Sequence, residues 1–203
     1  MELWQYEQEA IQTGYHVVCG CDEAGAGPLA GPVYAAAVVL PFGIEIPGLT
    51  DSKKLTEKKR EQLFPEIQKL ALAYAVVSVS AEEIDKTDIL SARMKAMQLA
   101  IDKVSLELPV EFALIDGNRD HGKTAAITTD HRCIVKGDSL SASIAAASIL
   151  AKVSRDHHMV EMADRYPEYS FEKHKGYGTK AHYEALRQYG PSPIHRRTFL
   201  KNL

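Results

Sequence analysis

The chain reads as a single α/β domain, one sheet flanked by helices, with a helical addition at its C-terminus. Two observations predict this class. Five short apolar runs of strand length alternate with segments whose apolar residues recur at helical spacing. No repeat, low-complexity tract or interdomain linker divides them, so residues 1–203 form one unit, a core over about 1–165 and a helical, basic extension over about 166–203.

The elements follow in order. Val17–Asp22 and Tyr34–Leu40 read as strands joined by a loop rich in glycine and proline, the second strand almost unbroken in its apolar character. Residues 41–48 are loop. Thr56–Leu70 carries charges at helical spacing, with Pro65 expected to start a new turn or a kink. Leu72–Ser78 is a third strand. Ser80 and Glu83 fit a capping box, and a helix is expected to run from there to about Leu106. Phe112–Ile115 and roughly Ala126–Val135 supply the fourth and fifth strands. Leu140–Met162 is a long helix rich in Ala and Ser, narrow enough to lie close against a sheet, and Thr179–Tyr189 is a short one.

Composition excludes several classes. A length of 203 residues supports one proper core, and 45% hydrophobic with 25% charged residues is ordinary for a soluble globular protein. No run reaches the ~18–20 apolar residues of a membrane helix, and the first residues lack the basic-then-apolar pattern of a signal peptide. Three cysteines, an odd number, point to a reducing compartment, so a cytoplasmic, membrane-free protein is expected. The net charge of −3 hides a division. Residues 1–151 hold 14 Lys/Arg against 21 Asp/Glu, whereas residues 152–203 hold 10 against 6 and five of the eight histidines. A basic face at the C-terminus suits a polyanionic partner, and a solvated helix surface explains it equally.

Chemistry concentrates where strands end. Asp22 and Glu23 close an apolar run and open into Ala24-Gly25-Ala26-Gly27-Pro28, so two carboxylates meet a flexible loop; such a pair needs a cation, a shared proton or a basic neighbour. Asp116 closes the fourth strand, although Asp-Gly is also a common turn pair. Asp138 follows the fifth, where it equally suits an N-cap for the next helix. Asp156 reads as a helix-surface partner for a Lys or Arg. Together, Asp22, Glu23, Asp116 and Asp138 fall at ends of different strands of one sheet. Carboxylates without Cys or His select Mg²⁺ or Mn²⁺, and two such ions ~4 Å apart serve phosphodiester hydrolysis.

Other patterns compete. Gly117–Thr124 matches a phosphate-binding loop, but β-branched residues rather than a helix follow it. Gly25–Gly31 departs from a dinucleotide fingerprint in glycine spacing and carries Pro28. Cys19 and Cys21 face one side of their strand and read as small buried hydrophobes. Lys173–Lys180 interleaves cations with Tyr177 between glycines, as a loop that neutralises phosphates and stacks on a sugar or base would, or as a plain surface turn would. His195-Arg196-Arg197 adds two cations.

With these residues in hand, the chain resembles bacterial ribonuclease HII over nearly its whole length. The carriers are Cys21-Asp22-Glu23-Ala24-Gly25, Gly27-Pro28-Leu29-Ala30-Gly31-Pro32-Val33, Asp51-Ser52-Lys53-Lys54-Leu55, Ile115-Asp116-Gly117-Asn118, Val135-Lys136-Gly137-Asp138, Ser143–Val153, Lys173–Thr179 and Pro193–Arg197. The resemblance implies a ribonuclease H-like mixed five-stranded sheet flanked by helices. It implies an endoribonuclease that cleaves the RNA strand of RNA–DNA hybrids and nicks duplex DNA 5′ of an embedded ribonucleotide, acting as a monomer with Mn²⁺ or Mg²⁺. The family's four metal-site acids match Asp22, Glu23, Asp116 and Asp138; its junction-sensing tyrosine matches Tyr177. Its glycine–arginine–glycine loop matches Gly25, Ala26 and Gly27. Lys53, Lys175 and Arg196 complete the candidate substrate contacts.

Two departures stand out. Ala26 replaces the loop arginine, removing a bidentate donor, and Asp88 stands where the family usually has asparagine. A hybrid-binding protein with impaired cleavage is therefore the alternative, with a nucleotide hydrolase using Gly117–Thr124 as a third reading. Because neighbouring strand residues point to opposite faces, joint use of Asp22 and Glu23 predicts a distorted strand end.

Overall fold

A computed structural model describes residues 3–200. Its sheet has the order β3-β2-β1-β4-β5, with β1 Val18–Ala24, β2 Val33–Val39, β3 Ala73–Val79, β4 Phe112–Asp116 and β5 His131–Ile134. The β3–β2 and β2–β1 pairs are antiparallel, and β4 and β5 are parallel to β1. This is the mixed five-stranded sheet expected of the ribonuclease H-like class.

Alternation along the strands divides the core in two. Cys19, Cys21, Ala35 and Ala37 face α4 (Ile89–Ser105), whose Met94, Met97, Ile101 and Val104 are buried there. Ala36 and Val38 face α5 (Ala142–Arg165) and Leu63 and Ile67 of α2 (Glu57–Leu70). The small residues of α5 let it lie close to the sheet. A Cβ added at Gly20 would stand 2.1 Å from the Ser143 carbonyl carbon, so this contact requires glycine. Cys19 and Cys21 are buried core residues, as their spacing predicts.

The elements differ from expectation at several points. A helix α1 (Gln5–Gln12) was not anticipated; its Glu7 is buried and accepts from Ser141 Oγ at 2.6 Å and from the Ser143 amide at 3.0 Å, satisfying the N-terminus of α5. Two helices replace the one expected from Ser80 to Leu106. Ser80 caps α3 (Ala81–Lys86), Thr87 leaves helical geometry, and Asp88 starts α4 by accepting from the Ser91 amide and hydroxyl at 2.9 and 2.7 Å. Asp88 thus serves as a helix cap, a role for which its carboxylate suits the helix dipole. The α2 helix runs on through Pro65. The fifth strand is shorter than expected, because residues 117–130 form an excursion closed by a bridge between His121 and Ala126.

Beyond α5 the chain packs elsewhere. Turns at Pro167–Tyr169 and Arg197–Phe199, with α6 (Phe171–His174) and α7 (Lys180–Tyr189), cover the far half of α5 and the loop after β1, around Leu29, Met159, Met162, Tyr169 and Phe171. Among the described residues no helix is long and apolar enough to cross a membrane.

Candidate functional site

Strand register builds the acidic centre. Cys21 pairs with Ile115 in the parallel β1–β4 ladder, so the next residues, Asp22 and Asp116, fall side by side. After β5, Lys136 adopts a left-handed conformation and the turn Gly137–Ser139 carries Asp138 back toward them. The Gly137 amide donates to Asp116 Oδ1 at 2.7 Å, locking this turn onto β4. Carboxylate oxygens of Asp22, Asp116 and Asp138 lie within 4.8 Å of one another. Asp138 does not cap α5; Ser141 does, accepting from the Ile144 amide, which leaves the Asp138 carboxylate to the cluster.

Glu23 is arranged differently, and the expected distortion is absent. The β1–β2 ladder stays regular through Ala24, and alternation turns Glu23 to the opposite face. There its Oε1 pairs with Arg93 Nη2 of α4 at 2.5 Å, and its Oε2 is buried without a partner. Arg93 escaped the sequence reading; its one signal is a cation within an otherwise apolar helix face.

Like charge dominates this centre. Burial, then Glu23 and Asp116, push the Asp22 carboxyl well above its ordinary range. Burial, then Asp116, raise Asp138. Burial raises Glu23 despite Arg93. The cation beside the cluster is Lys53, whose Nζ lies 3.3 Å from Asp138 Oδ2 and whose side chain is otherwise exposed. Burial pulls Lys53 down, but Asp138 and Asp22 outweigh it and its pKa rises. Buried oxygens with too little positive charge fit a divalent cation, and an all-oxygen donor set selects a hard one.

The loop from Ala24 to Pro32 lies against this cluster, held by its carbonyls. Arg196 donates to the carbonyls of Gly31, Ala26 and Gly25 at 2.9, 2.9 and 2.6 Å. Arg155 of α5 donates to those of Pro32 and Ala30 at 3.1 and 3.2 Å. Gly25 has φ +93° and sits on the Arg155 guanidinium, where a Cβ would stand 2.0 Å from Nε. No acceptor among the described residues takes the amides of Gly25, Ala26 or Gly27. The loop's carbonyls are therefore claimed by the two arginines, while these three amides keep no partner within the described residues.

Arg196 corrects the sequence reading. Expected as a substrate contact, it is 0% exposed and spends its donors on three carbonyls. Burial and Arg155 bring its pKa down to about 9, still protonated near neutrality. Lys175, in a left-handed conformation, donates to the Glu172 carbonyl of its own surface turn. Tyr177 remains 45% exposed, with the Arg155 guanidinium 5.8 Å from its ring centre and Gly27 beside it. Asp156 pairs with Lys152 as expected, at 2.6 Å, but the carboxylate is buried rather than on the surface. At Gly117–Thr124 no helix begins, so the amides that would cradle a nucleotide phosphate are not aligned.

Comparison with known proteins gives one consistent family. The family model for ribonuclease HII matches residues 19–202. A ribonuclease HII of Caldicellulosiruptor bescii is 51% identical over 200 residues, covering 98% of this chain and 94% of that protein. Among solved structures, the RNase HII of Archaeoglobus fulgidus, determined in complex with PCNA, is 25% identical with a TM-score of 0.71 over 90% of this chain and 94% of that one. The ribonuclease H2 of Pyrococcus horikoshii is 27% identical with a TM-score of 0.66 over 90% and 93%.

Proposed function

The chain belongs to the ribonuclease HII family of metal-dependent endoribonucleases, and we propose that it hydrolyses the RNA strand of RNA–DNA hybrids and nicks duplex DNA 5′ of an embedded ribonucleotide. The products carry 3′-hydroxyl and 5′-phosphate ends. The observation that carries this reading is the cluster of Asp22, Asp116 and Asp138, with a neighbouring loop whose Gly25, Ala26 and Gly27 amides have no partner among the described residues.

Asp22, Asp116 and Asp138 would hold the divalent ions, Mn²⁺ or Mg²⁺; Glu23, paired with Arg93 on the other face of β1, would join as the fourth carboxylate only by leaving that arginine. When bound, such a pair of ions supplies an acidified water for in-line attack and charge compensation at the departing 3′-oxygen. The chain's own groups do the rest. Lys53, beside Asp138, offers a cation to the phosphodiester. The Gly25, Ala26 and Gly27 amides donate to the ribonucleotide's backbone and 2′-hydroxyl, the group that distinguishes RNA from DNA. Tyr177 stacks at the junction, its ring braced by Arg155. Arg196 positions the loop and touches no substrate.

The test is cleavage of a duplex carrying one ribonucleotide, mapped to the nucleotide, with Mg²⁺ and Mn²⁺ compared. A single nick 5′ of the ribonucleotide, lost in Asp22→Asn, is the expected result. Full nicking by Asp22→Asn overturns the site assignment; cleavage confined to long hybrids overturns the junction reading.

A further inference from the structure

A second group of metal-ligating side chains stands apart from the carboxylate centre. The excursion 117–130 folds back on itself through the His121–Ala126 bridge, with the Ile127 amide donating to the Asp120 carbonyl and the Gly122 amide to that of Ala125, both at 2.7 Å. This returns Asp120 to β5. His131 and Cys133, two apart on β5, share one face of that strand. Asp120, His131 and Cys133 each offer one ligand atom within 4.8 Å of the others, and all three are half-buried.

Hydrogen bonding around His131 calls for a positive charge there. Its Nδ1 lies 2.8 Å from the Thr129 carbonyl oxygen, which can only accept, so Nδ1 carries the proton. In a neutral ring Nε2 then presents a lone pair, yet it faces Asp120 Oδ2 at 3.3 Å. Lone pair against carboxylate is repulsive unless a proton or a metal cation lies between them. An imidazole with its far nitrogen on a backbone carbonyl is also the orientation that metal-binding histidines adopt. His121 holds the other Asp120 oxygen through Nδ1 and so orients that carboxylate.

We propose that Asp120, His131 and Cys133 form a site for a borderline transition metal of the zinc type, distinct from the hard-cation centre at Asp22. One sulfur, one nitrogen and one oxygen ligand favour Zn²⁺ or Co²⁺ over Mg²⁺, and the fourth position is open to water. Ligand atoms around Zn²⁺ stand about 3.3–3.8 Å apart; His131 Nε2 and Asp120 Oδ2 already have that spacing, and Cys133 Sγ, within 4.8 Å of both, completes it on binding. Burial, then Asp120, hold the Cys133 thiol above its ordinary pKa. Metal binding therefore releases the thiol proton to solvent, and affinity rises with pH. The other two cysteines are fully buried, which leaves Cys133 as the accessible sulfur.

The site's place in the fold defines its role. The excursion joins Asp116 to the strand that leads to Asp138, and its Thr124 amide reaches Ser91 Oγ at the start of α4. A metal here clips that segment to β5 and stiffens the connection between two carboxylates of the other centre. It adds stability and takes no part in the chemistry.

Titration of the full chain with Co²⁺, in saturating Mg²⁺, tests this directly. The expected result is one Co²⁺ per chain with a thiolate-to-cobalt charge-transfer band, displaced by Zn²⁺. That band disappears in Cys133→Ser, and Co²⁺ affinity falls by at least about tenfold in His131→Gln and in Asp120→Asn. Zn²⁺ raises the melting temperature of wild type but not of Cys133→Ser, and Mg²⁺-supported cleavage is unchanged in that variant. Absence of the band in wild type, or its survival in Cys133→Ser, overturns the proposal. Asp120→Asn, a change on a half-exposed turn, keeps the comparison valid should a β5 variant fold poorly.

Discussion

At the acidic centre, Asp22, Asp116 and Asp138 are packed like charge against like charge, with an exposed lysine alongside. In the adjoining loop the signs are reversed: Arg155 and Arg196 bury their charge against backbone carbonyls. The first region is electrostatically unsatisfied until a cation arrives. The second has its carbonyls already claimed, although Arg155 Nη1 stays buried without a partner, and its Gly25, Ala26 and Gly27 amides remain free for a substrate. A catalytic centre can carry strain that its ligand relieves, whereas a recognition loop has to hold its shape before the ligand comes. The two regions should therefore respond in opposite ways to the same kind of perturbation.

The largest expected effect separates them at once. Asp22→Asn removes a buried charge from a like-charged group, so the metal-free protein should melt at a higher temperature than wild type. Turnover should fall by on the order of 10³-fold or more, because an ion ligand is lost. Calorimetry in chelator and single-substrate kinetics read the two changes. A lower metal-free melting temperature would show that Asp22 is structurally satisfied, and the contrast would collapse.

Arg196→Ala should move stability and activity together, both downward. Three buried carbonyls lose their donors at once, a cost of about 3 kcal/mol or more in unfolding free energy. Arg196→Lys should not rescue it, since one ammonium lacks the planar fork that spans three acceptors. Denaturant unfolding measures the loss; a variant within about 0.5 kcal/mol of wild type would remove Arg196 from the clamp.

This difference also explains what was legible beforehand. Asp22, Asp116 and Asp138 end or follow apolar runs, and parallel register carries that local signal into a shared site. Glu23 was legible as an acid but not in its orientation, because alternation decides the face and Arg93 is 70 positions away. Arg196 misled for a related reason. A cation near the C-terminus resembles a phosphate contact, and only the long-range packing of residues 166–200 on the loop reveals that carbonyls claim it. Asp88 resembled a departure at the site and is a helix cap, because Thr87 breaks the helix before it.

Acid should sharpen the contrast further. Beneath Tyr177, His182 Nδ1 donates to the Tyr177 carbonyl at 2.9 Å, and the Ser192 amide donates to His195 Nδ1. His195 Nε2 therefore carries the proton that bonds His182 Nε2 at 2.9 Å, and both rings are neutral. His174 stacks on His182, and Arg197 lies near. Burial and then His182 push His195 down to about 4; burial lowers His182 and His174 as well. The unfolded chain then takes up protons first as pH falls below ~6.5, so stability is lost between there and pH 4. From His195 alone the protein should be about 2 kcal/mol less stable at pH 5 than at pH 7. The acidic centre contributes with the opposite sign when metal-free, since carboxyls with raised pKa values destabilise as pH rises through them. His195→Asn should flatten the acid limb; an unchanged limb would place the titration elsewhere.

The smallest change concerns the loop's missing side chain. Ala26 is fixed by its carbonyl to Arg196, so its backbone is already placed and its side chain is free to vary. Ala26→Arg should add a bidentate donor over the scissile phosphate without disturbing the clamp. If that donor acts mainly in the transition state, kcat rises by about tenfold on a single-ribonucleotide duplex while KM stays nearly constant. A fall in KM with unchanged kcat would assign the position to ground-state binding. No change in either would mean that the free amides of Gly25, Ala26 and Gly27 suffice for recognition. In that outcome a clamped backbone, rather than an arginine side chain, is what the recognition loop requires.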